Sequence, residues 1–502
     1  MKLLRWHQLI SINLFWLGLN IRNNAVGAIL LPYLIDVFVQ PDIKNTALGA
    51  ARTASLVVAM LAQPAMGLLS DRNTSRFGRR RPFLVVGVLL DLLCLAAVGL
   101  SWNYPSLLAA VLLQQLCANI SHGALQGLIP DLVPEQQRGL AAGMKSIFEL
   151  LPIIVVGFTI ARLVSGGQLT WAIVATGAAL VILMLLTVMW VKEEPLQEKP
   201  NIPFWPVMLR VFGMLGGILS GAAAGIAGGA LAGGVVWLAA WPVWGAQAAQ
   251  IAGFSVAGLT AMTLAVWVGV NMGVTMTLGK QAGEQTILQR ILGGQGSFTW
   301  WVKNRLFFLA AITSIQGFTP FFLMYAFKVE RDTAAGMTGS LMIMVGLFTL
   351  ATALPGGWLA DRFGHRRVIA ISGVLAAVGA GVLLTAVWAP SMAILYAAGA
   401  VLGLATGLFM TANWALGTNL VPRAEAGRYL GISNLAGAGA GMVGSGLGGP
   451  IADNLNRITP GLGYFILFSC YAILFLFSAV ALRGVQAAAP QRAADAAALP
   501  AD

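Results

Sequence analysis

The chain has 502 residues, 58% of them hydrophobic and only 10% charged, with a mean hydropathy of +0.81 and a formal net charge of +12. An ordinary soluble protein carries about 25% charged residues, so a water-soluble globule is excluded. Apolar runs long enough to cross a bilayer, about 20 residues each, recur along the chain and predict an all-α integral membrane protein.

The first segment, Met1–His7, is basic and leads into an apolar run. That order fits a signal peptide, but the run continues past Pro32 to Val39 with no small-residue cleavage site, so it reads as the first spanning helix. Hydropathy places spans near residues 9–38, 48–70, 82–101, 106–130, 141–164 and 170–191. A charged, proline-containing stretch, Lys192–Pro206, follows. Residues 207–280 then hold two long apolar runs separated by the uncharged turn Trp241–Gln250. Further spans lie near 305–327, 338–360, 368–388, 392–419, 429–452 and 462–482. The expected organisation is an N-terminal six-helix bundle (1–192), a linker with two extra membrane helices and a cytoplasmic segment (193–304), a C-terminal six-helix bundle (305–483) and a disordered Ala/Pro-rich cytoplasmic tail (484–502), about 14 transmembrane helices in all.

The first inserted run carries Gly213, Gly217, Gly221, Gly225, Gly229 and Gly233, a glycine every fourth residue. At helical spacing these form one smooth ridge that admits a second backbone at close range. Packing against the other inserted helix is the plain reading. The transporter core or a second protomer, giving a homo-oligomer, are the alternatives.

Numbering the segments alternately inside and outside gathers most of the basic residues on one side. Lys2, Arg5, the Arg72–Arg81 cluster, Lys199, Lys280, Arg290, Arg423, Arg428, Arg483 and Arg492 belong to it. Lys44, Arg52, Arg162, Lys328, Arg331 and Arg457 fall on the other, and Arg22 within the membrane. This is the positive-inside bias, which puts both termini in the cytoplasm of a multi-pass inner (plasma) membrane protein. The basic excess is topology in a lipid bilayer, not a nucleic-acid site. Cys94, Cys117 and Cys470 all lie in apolar runs and read as small core residues.

The two halves repeat. Gly67–Leu68–Leu69–Ser70–Asp71–Arg72 recurs as Gly357–Trp358–Leu359–Ala360–Asp361–Arg362, each followed by Phe-Gly and basic residues. Leu132–Val133–Pro134 with Gly139 recurs as Leu420–Val421–Pro422 with Gly427. Two unlike motifs at nearly the same separation identify a duplication in parallel orientation.

The stretch from Gln63 through Asp71, Arg72, Gly78, Arg79, Arg80 and Arg81 to Phe83 resembles the loop between helices 2 and 3 of major facilitator transporters. More closely, it resembles the sucrose/proton symporters and their glycoside–pentoside–hexuronide relatives. The resemblance implies a major facilitator fold of two six-helix bundles, here with two inserted central helices. It also implies a cytoplasmic gate built from Gly67, Asp71, Arg72, Gly78, Arg79 and Arg80, with Asp361, Arg362 and Arg366 in the second half. Positive-inside topology alone is the other reading of the arginines. Asn119 through Asp131 resembles a segment of helix 4 in the sucrose carriers, but Gln126 stands where those have an arginine and His122 where a glutamine is usual. The span Ala47–Ser70 contains no acidic residue, so a sodium site of the melibiose-carrier kind is not expected.

Polar side chains at membrane depth are expensive and face a cavity or a partner. Arg22 sits mid-span with Asn23 and Asn24 beside it, and Asn13, Asn20 and Asn24 share a face. Arg22 is either a cavity residue or one arm of a structural ion pair. Asp91 lies mid-span in helix 3 and is either a proton-coupling group or the permanent partner of Arg22. Glu149 is a second coupling candidate, or a local salt bridge with Lys145. Gln115, Asn119, His122 and Gln126 share a stripe of helix 4, fit for a solute cavity or for hydrogen bonding between helices. In the second half Gln316, Asn413 and Trp414 complete the candidate cavity.

There is no catalytic constellation, phosphate-binding loop or metal cluster, so no enzyme, cofactor or metal is expected. The function expected is alternating-access transport of a small-molecule solute, a sugar or glycoside coupled to a proton. An exporter of amphipathic drug or lipid-like solutes is the alternative on the same fold. A non-transporting assembly factor or receptor is the alternative of another class.

Overall fold

A computed structural model describes residues 3–193, 204–278, 296–420, 437 and 439–486. Among these there is no strand, and twelve helices are long and apolar enough to cross a membrane. One of the twelve, Phe204–Thr277, has 74 residues and turns back at Gly245 (φ 80°, ψ 170°), long enough to cross twice. The all-α membrane architecture with an inserted helix pair is therefore present. Lys2, Lys199, Lys280, Arg290, the repeat residues Val421, Pro422 and Gly427, the charges Arg423 and Arg428, most of the first half of the span near 429–452, and the tail with Arg492 lie outside the described residues.

The first half comprises α1 (Trp6–Asn24), α2 (Leu31–Phe38), α3 (Lys44–Asp71), α4 (Arg81–Gly99), α5 (Tyr104–Leu125), α6 (Arg138–Phe158) and α7 (Leu169–Trp190). A π turn, Ala25–Leu30, joins α1 to α2 just after the Arg22–Asn24 triplet. Such a bulge shifts the register of the helix and frees backbone carbonyls, and it is characteristic of functional sites. The inserted pair is α8 (Phe204–Leu278). The second half comprises α9 (Ser297–Phe327), α10 (Arg331–Phe363), α11 (His365–Trp388), α12 (Met392–Leu420), a second π turn at Met442–Gly446, α13 (Leu447–Ile458) and α14 (Leu462–Ala481).

Lipid supplies no hydrophobic drive between helices, so close packing must hold them. In α8 a side chain on Gly217, Gly221, Gly225, Gly229 or Gly233 would run into Gly273, Gly269, Ala265, Ala261 or Ala257 of the returning helix. The glycine ridge is thus covered by its own partner helix, and a second protomer would have to use another face. Leu219, Ile226, Leu231 and Leu238 are exposed on the outside of the pair. The pair docks on the second half, with Ile218 against Gly439, Gly258 against Ile451, and Lys303 Nζ 3.9 Å from the ring centre of Trp267.

The two halves meet at the end where α2 finishes and α3 starts. Gly157 of α6 and Gly339 of α10 touch backbone to backbone, and Gly49 of α3 abuts Ser445 in the second π turn. The carboxylate of Asp453 accepts from the Asn45 side chain (2.7 Å), the Thr46 amide (2.7 Å) and the Thr46 hydroxyl (2.7 Å). A carboxylate here faces the positive N-terminus of α3. Arg331 reaches Asp36 at 4.0 Å and Arg457 donates to the Asp42 carbonyl at 3.2 Å across the same seam. At the opposite end Asp361, Thr418 and Asn419 are exposed and Glu149 is half-buried.

Candidate functional site

Next to the closed seam, between the halves, lies a narrow cavity; the atom-free space in and around it, open solvent included, is about 780 Å³. The first half lines it with Asn24, Ala28 and Ile153, and the second with residues of α9, α10, α11, α12 and α14. Its polar lining is Asn24, Gln316, Thr319 and Thr338; the rest is apolar, including Phe322 and Phe468. The two threonine hydroxyls donate to their own helices, Thr319 to the Ile315 carbonyl and Thr338 to the Ala334 carbonyl, both at 2.7 Å. Asn24 likewise donates to the Asn20 carbonyl at 2.8 Å. Such self-bonding consumes donors, so the groups left for a ligand are the Asn24 amide oxygen and its second N–H, the amide of Gln316 and the accepting threonine oxygens.

Two residues before Asn24, Arg22 forms an ion pair with Asp91 of α4, Nε to Oδ2 3.1 Å, with the side chains 4% and 0% exposed. Gln114 of α5 lies against the same carboxylate. The structure thus joins two residues that the sequence left each with two readings. Asn23 is exposed, turned away from the pair. Asn13 and Asn20 donate to the Leu9 and Trp16 carbonyls, so much of that amide face is spent within α1.

The α5 stripe divides. Asn119 is buried and donates to the Gln115 carbonyl at 2.7 Å, and its buried oxygen has no partner among the described residues. His122 packs edge-on to Trp16, ring centres 5.3 Å apart. Lys145 lies over the same Trp16 ring at 4.1 Å and pairs with Glu149 at 3.3 Å. Gln126 is exposed at the end of the helix. None of these four helix 4 residues lines the cavity that holds Asn24 and Gln316.

In the second half Asn413 is buried in a relay. It donates to Asn304 at 2.7 Å and accepts from Arg305 at 3.1 Å, whose guanidinium lies 5.6 Å from the Trp414 ring centre. Arg52, which the sequence places among the topology charges, is instead drawn into the seam. Arg52 donates to the Gly27 carbonyl in the first π turn (2.6 Å) and to the Thr313 carbonyl of α9 (3.2 Å), so it ties the halves together. The signal was an arginine standing alone among apolar residues. Asp453 carried no comparable signal, because it lies at the end of an expected span.

The repeated loop motif is built differently in its two copies. In the first, Arg79 reaches Asp71 (3.0 Å) and Asp131 (3.5 Å), and Arg80 reaches Asp71 and Asp131 (2.9 Å). Arg80 also donates to Ser70, and its amide donates to Glu193 at 2.7 Å. Gly78 turns the chain with φ +109°, a conformation open to glycine. Gly67 brings α3 against Gly123 of α5. In the second copy Asp361 is 78% exposed and, among the described residues, pairs with His365 alone, at 3.5 Å. Arg362 lies over Trp358, and Arg366 donates to the Leu482 carbonyl at 3.0 Å. The gate expected of Asp361, Arg362 and Arg366 is therefore not assembled as in the first half. The reason is local: the position matching Asp131 is Asn419, which has no charge to hold Arg366.

The sequence model of the Major Facilitator Superfamily matches residues 17–300 and 306–501. Solute carrier family 45 member 3 of Mus musculus is 31% identical over 140 residues, 25% of this chain and 24% of that protein. Proton-associated sugar transporter A of Homo sapiens is 27% identical over 211 residues, 35% of this chain and 28% of that protein. A sucrose transport protein of Oryza sativa subsp. japonica is 36% identical over 66 residues, 12% of each. The matched stretches thus span between 12% and 28% of these relatives. The crystal structure of a D-xylose-proton symporter superposes with a TM-score of 0.60 at 17% identity, covering 94% of this chain and 96% of the other. That of an auto-inhibited POT family peptide transporter superposes with 0.61 at 12% identity, covering 95% and 96%. At such identities the likeness is one of fold.

Proposed function

The chain belongs to the Major Facilitator Superfamily, and from that premise we propose that it carries a sugar or glycoside together with a proton across the inner membrane, both termini being cytoplasmic. The observation that carries this reading is the buried Arg22–Asp91 pair beside Asn24, whose side chain enters the cavity opposite Gln316. A buried carboxylate paired with an arginine near a solute cavity is the kind of group on which proton and solute binding can be linked. The amides of Asn24 and Gln316 supply donor and acceptor to hydroxyl groups, and Phe322 and Phe468 supply faces for a sugar ring. The partial likeness to sugar and sucrose transport proteins supports the same solute class. The seam through Asp453 and Arg52 then closes the outer end, and rocking of the halves opens it. One proton moving down 100 mV supplies about 2.3 kcal/mol, enough for roughly 50-fold accumulation.

The test is uptake of labelled sugars by proteoliposomes under an imposed pH gradient. Sugar-dependent alkalinisation outside the vesicles, with accumulation that collapses on adding a protonophore, is the expected result. Absence of counterflow for every sugar and glycoside in a broad panel would overturn the reading. A second reading, export of an amphipathic solute, is favoured by the mostly apolar lining of the cavity. Extrusion of an apolar dye without any sugar flux would select it.

A further inference from the structure

The second copy of the loop motif does not form a gate, and we propose that it holds the phosphate headgroup of an anionic phospholipid. Where α11 starts and α12 and α14 end, a groove with about 1840 Å³ of open space runs along the surface. Its head is lined by His365, Arg366, Arg367 and Arg483, with Asn419, and among the described residues no carboxylate lines it. Its floor is apolar. Val374, Leu476 and Val480 line it and are 49%, 42% and 51% exposed on the surface that faces lipid.

Charge and shape together choose the occupant. In the first half Asp71 and Asp131 neutralise Arg79 and Arg80. In the second, Asn419 replaces the second acid, and Asp361 points to solvent beside His365. Arg366 is held in place by the Leu482 carbonyl, while Arg367 and Arg483 make no ion pair among the described residues. Basic pockets between membrane helices at the cytoplasmic face recruit anionic headgroups. A free anion would use the arginines but not the apolar floor, whereas a phospholipid uses both.

The test takes the full-length protein in nanodiscs of phosphatidylcholine containing a minor fraction of phosphatidylglycerol. Retained lipid is counted by native mass spectrometry, and melting temperature is followed on titration with each lipid. Wild type is expected to retain phosphatidylglycerol selectively and to melt higher with it. Arg366→Gln/Arg367→Gln/Arg483→Gln should weaken that retention by roughly tenfold or more, and the corresponding triple Lys variant should keep most of it. Val374→Trp, which fills the floor and leaves the arginines untouched, should weaken it as well. Equal retention of both lipids by wild type overturns the proposal. So does wild-type retention by both the Gln and Val374→Trp variants, or an equal melting shift with inorganic phosphate alone.

Discussion

Asp453 accepts a 2.7 Å hydrogen bond from the side chain of Asn45, a residue 408 positions earlier in the chain, and both are buried. The bond crosses from one half of the molecule to the other, and the same carboxylate takes both donors of Thr46. Any motion that opens this end must break all of them. The latch and Arg52 both reach from α3 to the second half, one at its N-terminus and one two turns in.

Asp453→Asn keeps the shape of the latch but removes its charge. A hydrogen bond to a charged group contributes about 1.5–3 kcal/mol, so the balance should move toward opening by roughly 10- to 100-fold. A cysteine at Gln316, in a background without native cysteines, should then react faster with an impermeant thiol reagent added on the side of the α2–α3 connection. Unchanged labelling removes the latch.

Asp91→Asn leaves the Arg22 guanidinium buried without its partner. Breaking one arm of such a pair costs about 3–5 kcal/mol, which should appear as a large fall in melting temperature. Arg22→Gln/Asp91→Asn, with no charge left to bury, should recover most of it. If Asp91 also carries the coupled proton, Asp91→Asn should keep counterflow and lose pH-driven accumulation. Accumulation that survives assigns the pair to structure alone.

Asp131 is 27% exposed, so its pairing with Arg79 and Arg80 is partly screened. Asp131→Asn should cost only about 1 kcal/mol, read as a small shift in melting temperature. Asn419→Asp is the converse change. It gives Arg366 a carboxylate and should reduce selective retention of phosphatidylglycerol; unaltered retention would argue against the groove.

Gly221→Leu should force the two inserted helices apart, because a side chain there meets Ala265 and Gly269 backbone. Overpacking of this kind costs about 1–3 kcal/mol or more. Gly234→Leu, a few residues on, meets nothing within 4 Å and should be nearly neutral. Melting curves of the two variants in one lipid are the check, and equal stability would show that the ridge is not a close contact.

Parts of the site were legible before any coordinates. Arg22, Asp91 and Gln316 stood out because a polar group in an apolar run has few reasons to be there, and the structure puts Arg22 on Asp91 and Gln316 in the cavity. The helix 4 stripe was less informative. Equal spacing put Asn119, His122 and Gln126 on one face, but they went to a self-bonded amide, a tryptophan edge and an exposed helix end. Spacing gives the face of a helix and not what that face meets.

By itself, then, the sequence determined the solvent of this protein, the order of its helices and its doubled plan. These follow from hydropathy and from self-similarity, which are local properties of the chain and need no knowledge of its neighbours. Only the tertiary structure decided who pairs with whom: Arg52 with two backbone carbonyls, Asp453 with the start of α3, and Arg366 of the second motif copy with a backbone carbonyl in place of an acid among the described residues. An ion pair or hydrogen bond reaches about 3 Å. Which groups come that close is settled by how the two bundles pack, and packing is a property of the whole.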